Sequence, residues 1–299
     1  MKIAKVISTC FKRGRIRLNT QLTGDPVGFF SHSQNFTTVS DTISLINYQL
    51  KMETKYPPGI KRDIIIVNND VGSIEGNKFI EEINNKEIAG GKVFSITRDN
   101  VGLAFGAYNF AFEKFRNMYD FFLFIEDDQI TAKKDYLKIG INKWNETPNC
   151  GFVAYIGINR VFKGWSEISE LELNKKNAFA AYGGCGLTST KILNEIVKKY
   201  GRIPHNNKDI DHIKSIAFGE IAFSKVFIDL GYKLTKLKKE ILVIPAYDLM
   251  RGIKYRKYPT LSEIIIWFIK LKVYSLISKS PFLLNKYLII VKEIKKFFK

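Results

Sequence analysis

Two short runs, Ile64-Ile65-Ile66-Val67 and Phe121-Phe122-Leu123-Phe124-Ile125, are apolar at every position. Side chains of a strand alternate between the two faces of its sheet, so a strand without a polar position has no face for water and belongs between two helix layers. The surrounding sequence supplies the layers. Segments 40–54, 73–84 and 102–117 carry apolar residues at helical spacing, among them Ile43, Ile46 and Leu50, then Leu103, Ala107, Phe110 and Ala111. Ile3–Thr9 and Lys92–Ile96 read as further strands. Strands alternating with helices predict α/β architecture: a Rossmann-type α/β/α sandwich around a mostly parallel sheet. Beyond residue 150 the alternation becomes irregular, with strands expected at Phe152–Ile158 and Ala178–Tyr182 and helices at 188–199 and 219–230. Gly231 follows the last apolar position of that final helix, as a C-terminal cap should. Gly14–Val39 is a long polar excursion after the first strand.

The composition excludes several classes of protein. Of 299 residues 45% are hydrophobic and 25% charged, with only 21 Gly and 8 Pro, which rules out a disordered or collagen-like chain. Cys10, Cys150 and Cys185 lie far apart, and His32, His205 and His212 have no metal-ligand spacing, so neither a disulfide scaffold nor a Cys/His zinc site is expected. The apolar run after Met1 is too short for a signal peptide, and a cytoplasmic protein is expected. The net charge of +18 is unevenly spread. Residues 231–299 hold sixteen Lys/Arg against four Asp/Glu, a surplus of +12, leaving +6 for the first 230.

The strand Phe121–Ile125 runs directly into Glu126-Asp127-Asp128. Adjacent carboxylates repel by ~4 kcal/mol at 4 Å and an effective dielectric of 20, so a cluster at the end of a buried strand favours a bound cation, Mg²⁺ or Mn²⁺. In extended backbone Glu126 and Asp128 project to one side and Asp127 to the other, offering two oxygen ligands and leaving positions for water and phosphate. The alternative is a solvated acidic turn capping a helix that starts near Thr131.

The company of the triplet narrows the choice. Arg98-Asp99-Asn100-Val101-Gly102, the helix through Asn109, then Tyr119-Asp120 and the strand ending in Glu126-Asp127-Asp128 together resemble the central signature of glycosyltransferase family 2, which has the GT-A nucleotide-sugar-binding fold. In that family an Asn-x-Gly opens a helix bearing a later Asn, and the next strand ends in a DxD-type metal motif; here Glu126 stands for the first Asp. The resemblance covers roughly residues 1–245 and implies a GT-A-like domain over 1–250, with a nucleotide-sugar half (1–128) and an acceptor half (129–250), followed by a basic helical tail (251–299). It implies Glu126 and Asp128 as metal ligands, and Thr9, Asn100, Gly102, Asn109 and Asp127 as nucleotide-sugar contacts. After the second strand the family's usual acid is replaced by Asn68-Asn69-Asp70, so either Asn68 or Asp70 meets the nucleoside. An ordinary strand-to-helix turn would also use these residues.

Phe218-Gly219-Glu220, leading a helix that ends in Gly231-Tyr232-Lys233, resembles the family's second acidic motif. Gly219 stands where an acid is common, which leaves Glu220 as the base that would deprotonate an acceptor hydroxyl in an inverting reaction. Asp209 and Asp211 are rivals for that role. The resemblance places Gly183 and Gly184, in Tyr182-Gly183-Gly184-Cys185-Gly186, under the donor sugar, although a plain strand-to-helix loop fits them as well. Some members of the wider class carry a late His ligand; Val243–Asp248 has none, so Asp248 or water would substitute.

From Leu261 the tail forms two amphipathic segments broken at Ser280-Pro281, and its longest apolar run, Ile264–Ile269, is far short of the ~20 residues that span a bilayer. An apolar stripe through Leu284, Leu288, Val291, Ile294 and Phe298, with lysines elsewhere, suits an anionic leaflet or a helix folded back on its own domain. Nucleic acid is not expected. These readings predict an inverting, divalent-cation-dependent glycosyltransferase of bacterial surface polysaccharide synthesis. It would use a nucleotide diphosphate donor, UDP-sugar first, and a glycan or lipid-linked acceptor at the inner face of the cell membrane. The rivals are a sugar-nucleotide nucleotidyltransferase, for which Phe11–Arg15 offers only one Gly, and a basic membrane-surface module without turnover.

Overall fold

A computed structural model describes residues 1–11, 39–127, 129–131, 133–155, 157–158, 180–181, 184–205, 216–237 and 243–245. In chain order the elements are β1 (Ile3–Thr9), α1 (Val39–Lys55), β2 (Arg62–Asp70), α2 (Ile74–Ile83), β3 (Glu87–Ile88), β4 (Gly91–Asp99), α3 (Leu103–Phe115), β5 (Phe121–Glu126) and β6 (Gln129–Thr131). They continue with α4 (Tyr136–Glu146), β7 (Cys150–Ala154), β8 (Gly157–Ile158), β9 (Ala180–Ala181), β10 (Gly186–Ser189) and α5 (Thr190–Tyr200). A π-helical turn (Ile216–Ile221), α6 (Ala222–Asp229), β11 (Lys233–Lys236) and β12 (Val243–Pro245) complete them.

The main sheet has eight strands in the order β11-β7-β10-β5-β1-β2-β4-β3. Its centre, β5-β1-β2-β4, is parallel, in the register Thr9 to Asn68, Ser8 to Glu126 and Asp70 to Asp99. β10 runs antiparallel between β5 and β7. The expected α/β sandwich is present, with the two all-apolar runs in its middle. Alternation sorts the core: Ala4, Val6, Phe122 and Phe124 face α3, α5 and α6, whereas Ile3, Ile7, Leu123 and Ile125 face α1, α2 and α4. Ser73 caps α2 through its side chain, accepting from Gly76 N at 3.1 Å, and Ser189 caps α5 from Ile192 N at 3.3 Å.

Three local expectations are corrected. No helix begins near Thr131; Gln129–Thr131 is β6, paired antiparallel with β12, because the buried Thr131 hydroxyl is bonded into the interior and α4 opens only at Tyr136. Phe152–Ile158 is two elements, since the chain leaves the main sheet after Ala154 and β8 pairs with β9 instead. The helix expected over 219–230 is preceded by the π-helical turn, so Glu220 lies inside a continuous helical stretch rather than at its N-terminus. Among the described residues no helix is long and apolar enough to cross a membrane. The tail 251–299 lies outside the described residues.

Candidate active site

The order of the parallel strands reverses at β1: the chain steps outward through β2 and β4, then returns to place β5 on the other side of β1. In open α/β sheets ligands bind outside the carboxyl ends of the strands at such a switch point. The end of β1 carries Thr9 and the end of β5 carries Glu126 and Asp127, so the reversal coincides with the acidic turn. There the buried Thr9 hydroxyl donates to Asp127 Oδ2 at 2.8 Å, and Asp127 N donates to Ser8 O at 3.0 Å.

The turn departs from the geometry expected of it. Extended backbone ends at Glu126 and Asp127 is a turn residue, so the alternation that assigned Glu126 and Asp128 to one side holds only as far as Glu126. Asp127 is buried at 2% exposure, whereas Glu126 is half-buried. Gln129 closes the turn, accepting from Glu126 N at 3.0 Å and donating to Glu126 Oε2 at 3.3 Å. Asp128 lies outside the described residues. The carboxylate oxygens here are hard donors of the kind that Mg²⁺ and Mn²⁺ take, so the donor set fits such a cation in kind. Among the described residues no three His, Cys, Asp or Glu side chains gather into a metal-holding group.

At the end of β2 the hydrogen bonds fix the direction of every amide. Asp70 Oδ1 accepts from Gly72 N at 2.9 Å and from Asn77 Nδ2 at 3.3 Å. Asn77 Oδ1 in turn accepts from Asn68 Nδ2 at 2.7 Å. A carboxylate only accepts, so the relay leaves Asn68 presenting its oxygen, which is buried without a hydrogen-bond partner among the described residues. Asn69, beside it, receives Arg98 Nη1 at 2.8 Å and donates to Ser8 Oγ at 3.1 Å and Thr9 O at 3.2 Å, tying β4, β2 and β1 together. Asn100 Nδ2 lies 3.9 Å from Cys10 Sγ, and Asn100 Oδ1 is a second buried acceptor without a partner among the described residues. Unsatisfied buried acceptors on neighbouring strand ends suit a ligand that brings N–H or O–H donors.

The remaining residues divide. Gly102, at φ 74°, is the left-handed residue that opens α3, and Gly106 N donates to its carbonyl at 3.0 Å. Phe105, in the first turn of α3, connects it to the second half of the chain. A Cβ on Gly184 would lie 2.8 Å from the Phe105 ring and one on Gly219 would lie 2.4 Å from it. Both glycines pack against this ring, and a side chain at position 219 would run into it. Phe105 also meets Phe223 of α6 edge-on at 5.6 Å between centroids, so the turn bearing Glu220 is packed directly on the helix that Gly102 opens. Glu220 is buried at 7% exposure, and Ser224 Oγ donates to its carbonyl at 2.9 Å. Asn109 has a different task, its Oδ1 accepting from Ile203 N at 2.8 Å to hold the turn after α5. Gly183, Asp209, Asp211 and Asp248 lie outside the described residues.

Sequence reasoning did not find Gln49, Asn69, Asn77, Arg98 or Gln129. Each acts through directed hydrogen bonds, which leave no trace in periodicity or composition.

No protein-family model and no curated protein sequence matches the chain. Among solved structures it is similar to S. aureus TarS 1-349, at 14% identity over 85% of this chain and 63% of that one, with a TM-score of 0.45. It is similar to a putative glucose-1-phosphate thymidylyltransferase from Bacillus anthracis, at 13% identity over 87% of this chain and 97% of that one, TM-score 0.49. A third is the mannosyltransferase PcManGT from Pyrobaculum calidifontis in complex with GDP-Man and Mn²⁺, at 13% identity over 84% and 60%, TM-score 0.43. The chain thus spans less than two thirds of the TarS structure. Because each of these TM-scores is below 0.5, the α/β architecture stands on strand order and register.

Proposed function

We propose that the protein is an inverting glycosyltransferase that moves a sugar from a nucleotide diphosphate donor, a UDP-sugar first, to a glycan or lipid-linked acceptor. The observation that carries this reading is the convergence of Thr9, Asn68, Asp70, Asn100, Glu126 and Asp127 on one edge of the sheet, at the strand reversal, with Asp127 bonded to Thr9. Asn68 and Asn100 would accept hydrogen bonds from the nucleoside, and Thr9 with Asp127 would form the floor beneath the diphosphate. Glu126 and Asp128 would hold a divalent cation, Mn²⁺ or Mg²⁺, whose contribution when bound is to neutralise the charge of the leaving diphosphate. Glu220 would take the proton from the acceptor hydroxyl as its oxygen bonds to the anomeric carbon and the bond from that carbon to the diphosphate oxygen breaks on the opposite face. The basic tail 251–299 would attach the enzyme to the anionic inner face of a membrane, where a lipid-linked acceptor resides.

The test is nucleotide binding with and without Mn²⁺. A ligand at 100 times its dissociation constant stabilises by ~2.7 kcal/mol, so UDP with Mn²⁺ is expected to raise the melting temperature by several degrees. Asp128→Asn is expected to abolish the Mn²⁺-dependent part while leaving the unliganded fold intact. Calorimetry that finds the Mn²⁺-linked affinity unchanged in that variant refutes the site.

A further inference from the structure

We infer that Gln49, on the buried side of α1, is a positioning residue for the acidic turn. This rests on the proposed cation and diphosphate site at Glu126-Asp127-Asp128. Gln49 is fully buried, and its Nε2 donates to the carbonyl oxygen of Asp127 at 2.5 Å and to that of Glu126 at 3.2 Å. Both partners are carbonyls, so only the NH₂ end of the amide can face them. Its Oε1 is consequently turned away and, among the described residues, has no hydrogen-bond partner. A buried, unsatisfied acceptor destabilises a fold, so the orphan Oε1 offsets part of what the two hydrogen bonds of the amide contribute. What the glutamine does specifically is hold two particular carbonyls.

Those carbonyls define the turn. The oxygen of Glu126 fixes the peptide plane between residues 126 and 127, and that of Asp127 fixes the carbonyl on its other side, so together they set the backbone of Asp127. The other sides of the turn are held independently, by Ser8 O on Asp127 N, Thr9 on Asp127 Oδ2 and Gln129 on Glu126. One helical turn beyond Gln49, Glu53 accepts from Thr131 Oγ1 at 3.0 Å, so α1 holds the chain both at the acidic residues and just after them. With the backbone oxygens drawn toward α1, a cation at the turn meets carboxylates that are already oriented, and binding need not order them.

Gln49→Met keeps the length of the side chain and removes both its donor and its orphan oxygen. The full chain is titrated with UDP by calorimetry at saturating Mn²⁺ and again without metal, and its unliganded melting temperature is measured separately. Mn²⁺-dependent UDP affinity is expected to fall at least ~10-fold, with the unliganded melting temperature moving by no more than a few degrees and metal-free UDP binding unchanged. Gln49→Asn, whose amide falls one methylene short, should lose affinity in the same direction and guards against misfolding of the Met variant. Unchanged Mn²⁺-linked affinity in both variants overturns the inference. So does a loss of affinity that tracks a collapse in unliganded melting in both, since that is what a merely structural role produces. A wild-type chain whose UDP affinity does not respond to Mn²⁺ removes the underlying site reading, and the inference with it.

Discussion

Beneath the acidic turn lies a fully buried carboxylate, Glu53, whose removal should be costly. Lys5 Nζ lies 2.6 Å from its Oε1, while Arg62 Nη2 and Nε lie 2.6 and 3.0 Å from Oε2. Thr131 and Tyr136 donate their hydroxyls to it as well. Burial would push the Glu53 carboxyl up, but Lys5 and Arg62 outweigh it and hold the group at about 2. Lys5 moves the other way, pushed down by burial, because a single carboxylate shared with Arg62 cannot offset its desolvation. Glu53→Gln keeps the shape and leaves two buried cations uncompensated, a change that typically costs ~3–5 kcal/mol and lowers the melting temperature by on the order of 10 °C. Lys5 offers partial relief by giving up its proton. With a folded pKa below the 10.5 of an exposed lysine, it binds fewer protons in the folded than in the unfolded chain, so stability rises with pH between the two values. Removing Glu53, which raises the Lys5 value, lowers it further in the variant, so the variant's deficit should shrink as the pH rises toward 10.5, as read by urea unfolding followed by circular dichroism. The wild type has the complementary dependence in acid: Glu53's contribution is complete above its ordinary 4.5 and is lost as the pH falls toward about 2. A deficit below about 1 kcal/mol, or one that grows with pH, refutes this account of the interior charges.

Glu220→Gln should retain nucleotide binding and lose transfer by ~10²–10⁴-fold at neutral pH; full activity would transfer the role to Asp209 or Asp211. Gly219→Ala drives a methyl into the Phe105 ring and should cost ~1–3 kcal/mol, with Phe105→Leu in the same chain restoring part of it; additive losses in the double variant contradict the packing explanation for position 219. Full-length protein should bind anionic liposomes and release them as salt rises, since the Debye length falls from ~10 Å at 0.1 M to ~3 Å at 1 M, and a chain ending before Leu261 should bind nucleotide without liposomes. Equal binding to neutral vesicles counts against the membrane assignment of the tail.

The central sheet was legible because burial on both faces leaves its mark residue by residue: Ile64–Val67 and Phe121–Ile125 have no other place in a folded chain. β10 was not, since Gly186–Ser189 is four residues long and the strands that flank it in the sheet, β5 and β7, both come from well before it in the sequence. Corrections cluster where one tertiary contact overrode a local preference. Thr131 reads as a helix start until its hydroxyl is seen bonded to Glu53, and Glu220 reads as a first-turn acid until the π-helical turn before it is in view.

For the candidate site the division is sharper. Strand ends place Thr9, Asn68, Asp70, Asn100 and Glu126 on one edge, and a parallel sheet makes that predictable from the run of each strand. What orients them comes from elsewhere: Gln49 from α1, Asn77 from α2 and Gln129 from β6, each chosen by a hydrogen bond that only the folded chain forms. Phe105 shows how the two kinds of information meet. As a residue it is one more apolar position on α3, yet in the fold its ring requires glycine at both 184 and 219. Gly184, which the resemblance set under a donor sugar, and Gly219 both pack on this ring, which ties Glu220's segment to the helix beginning at Gly102.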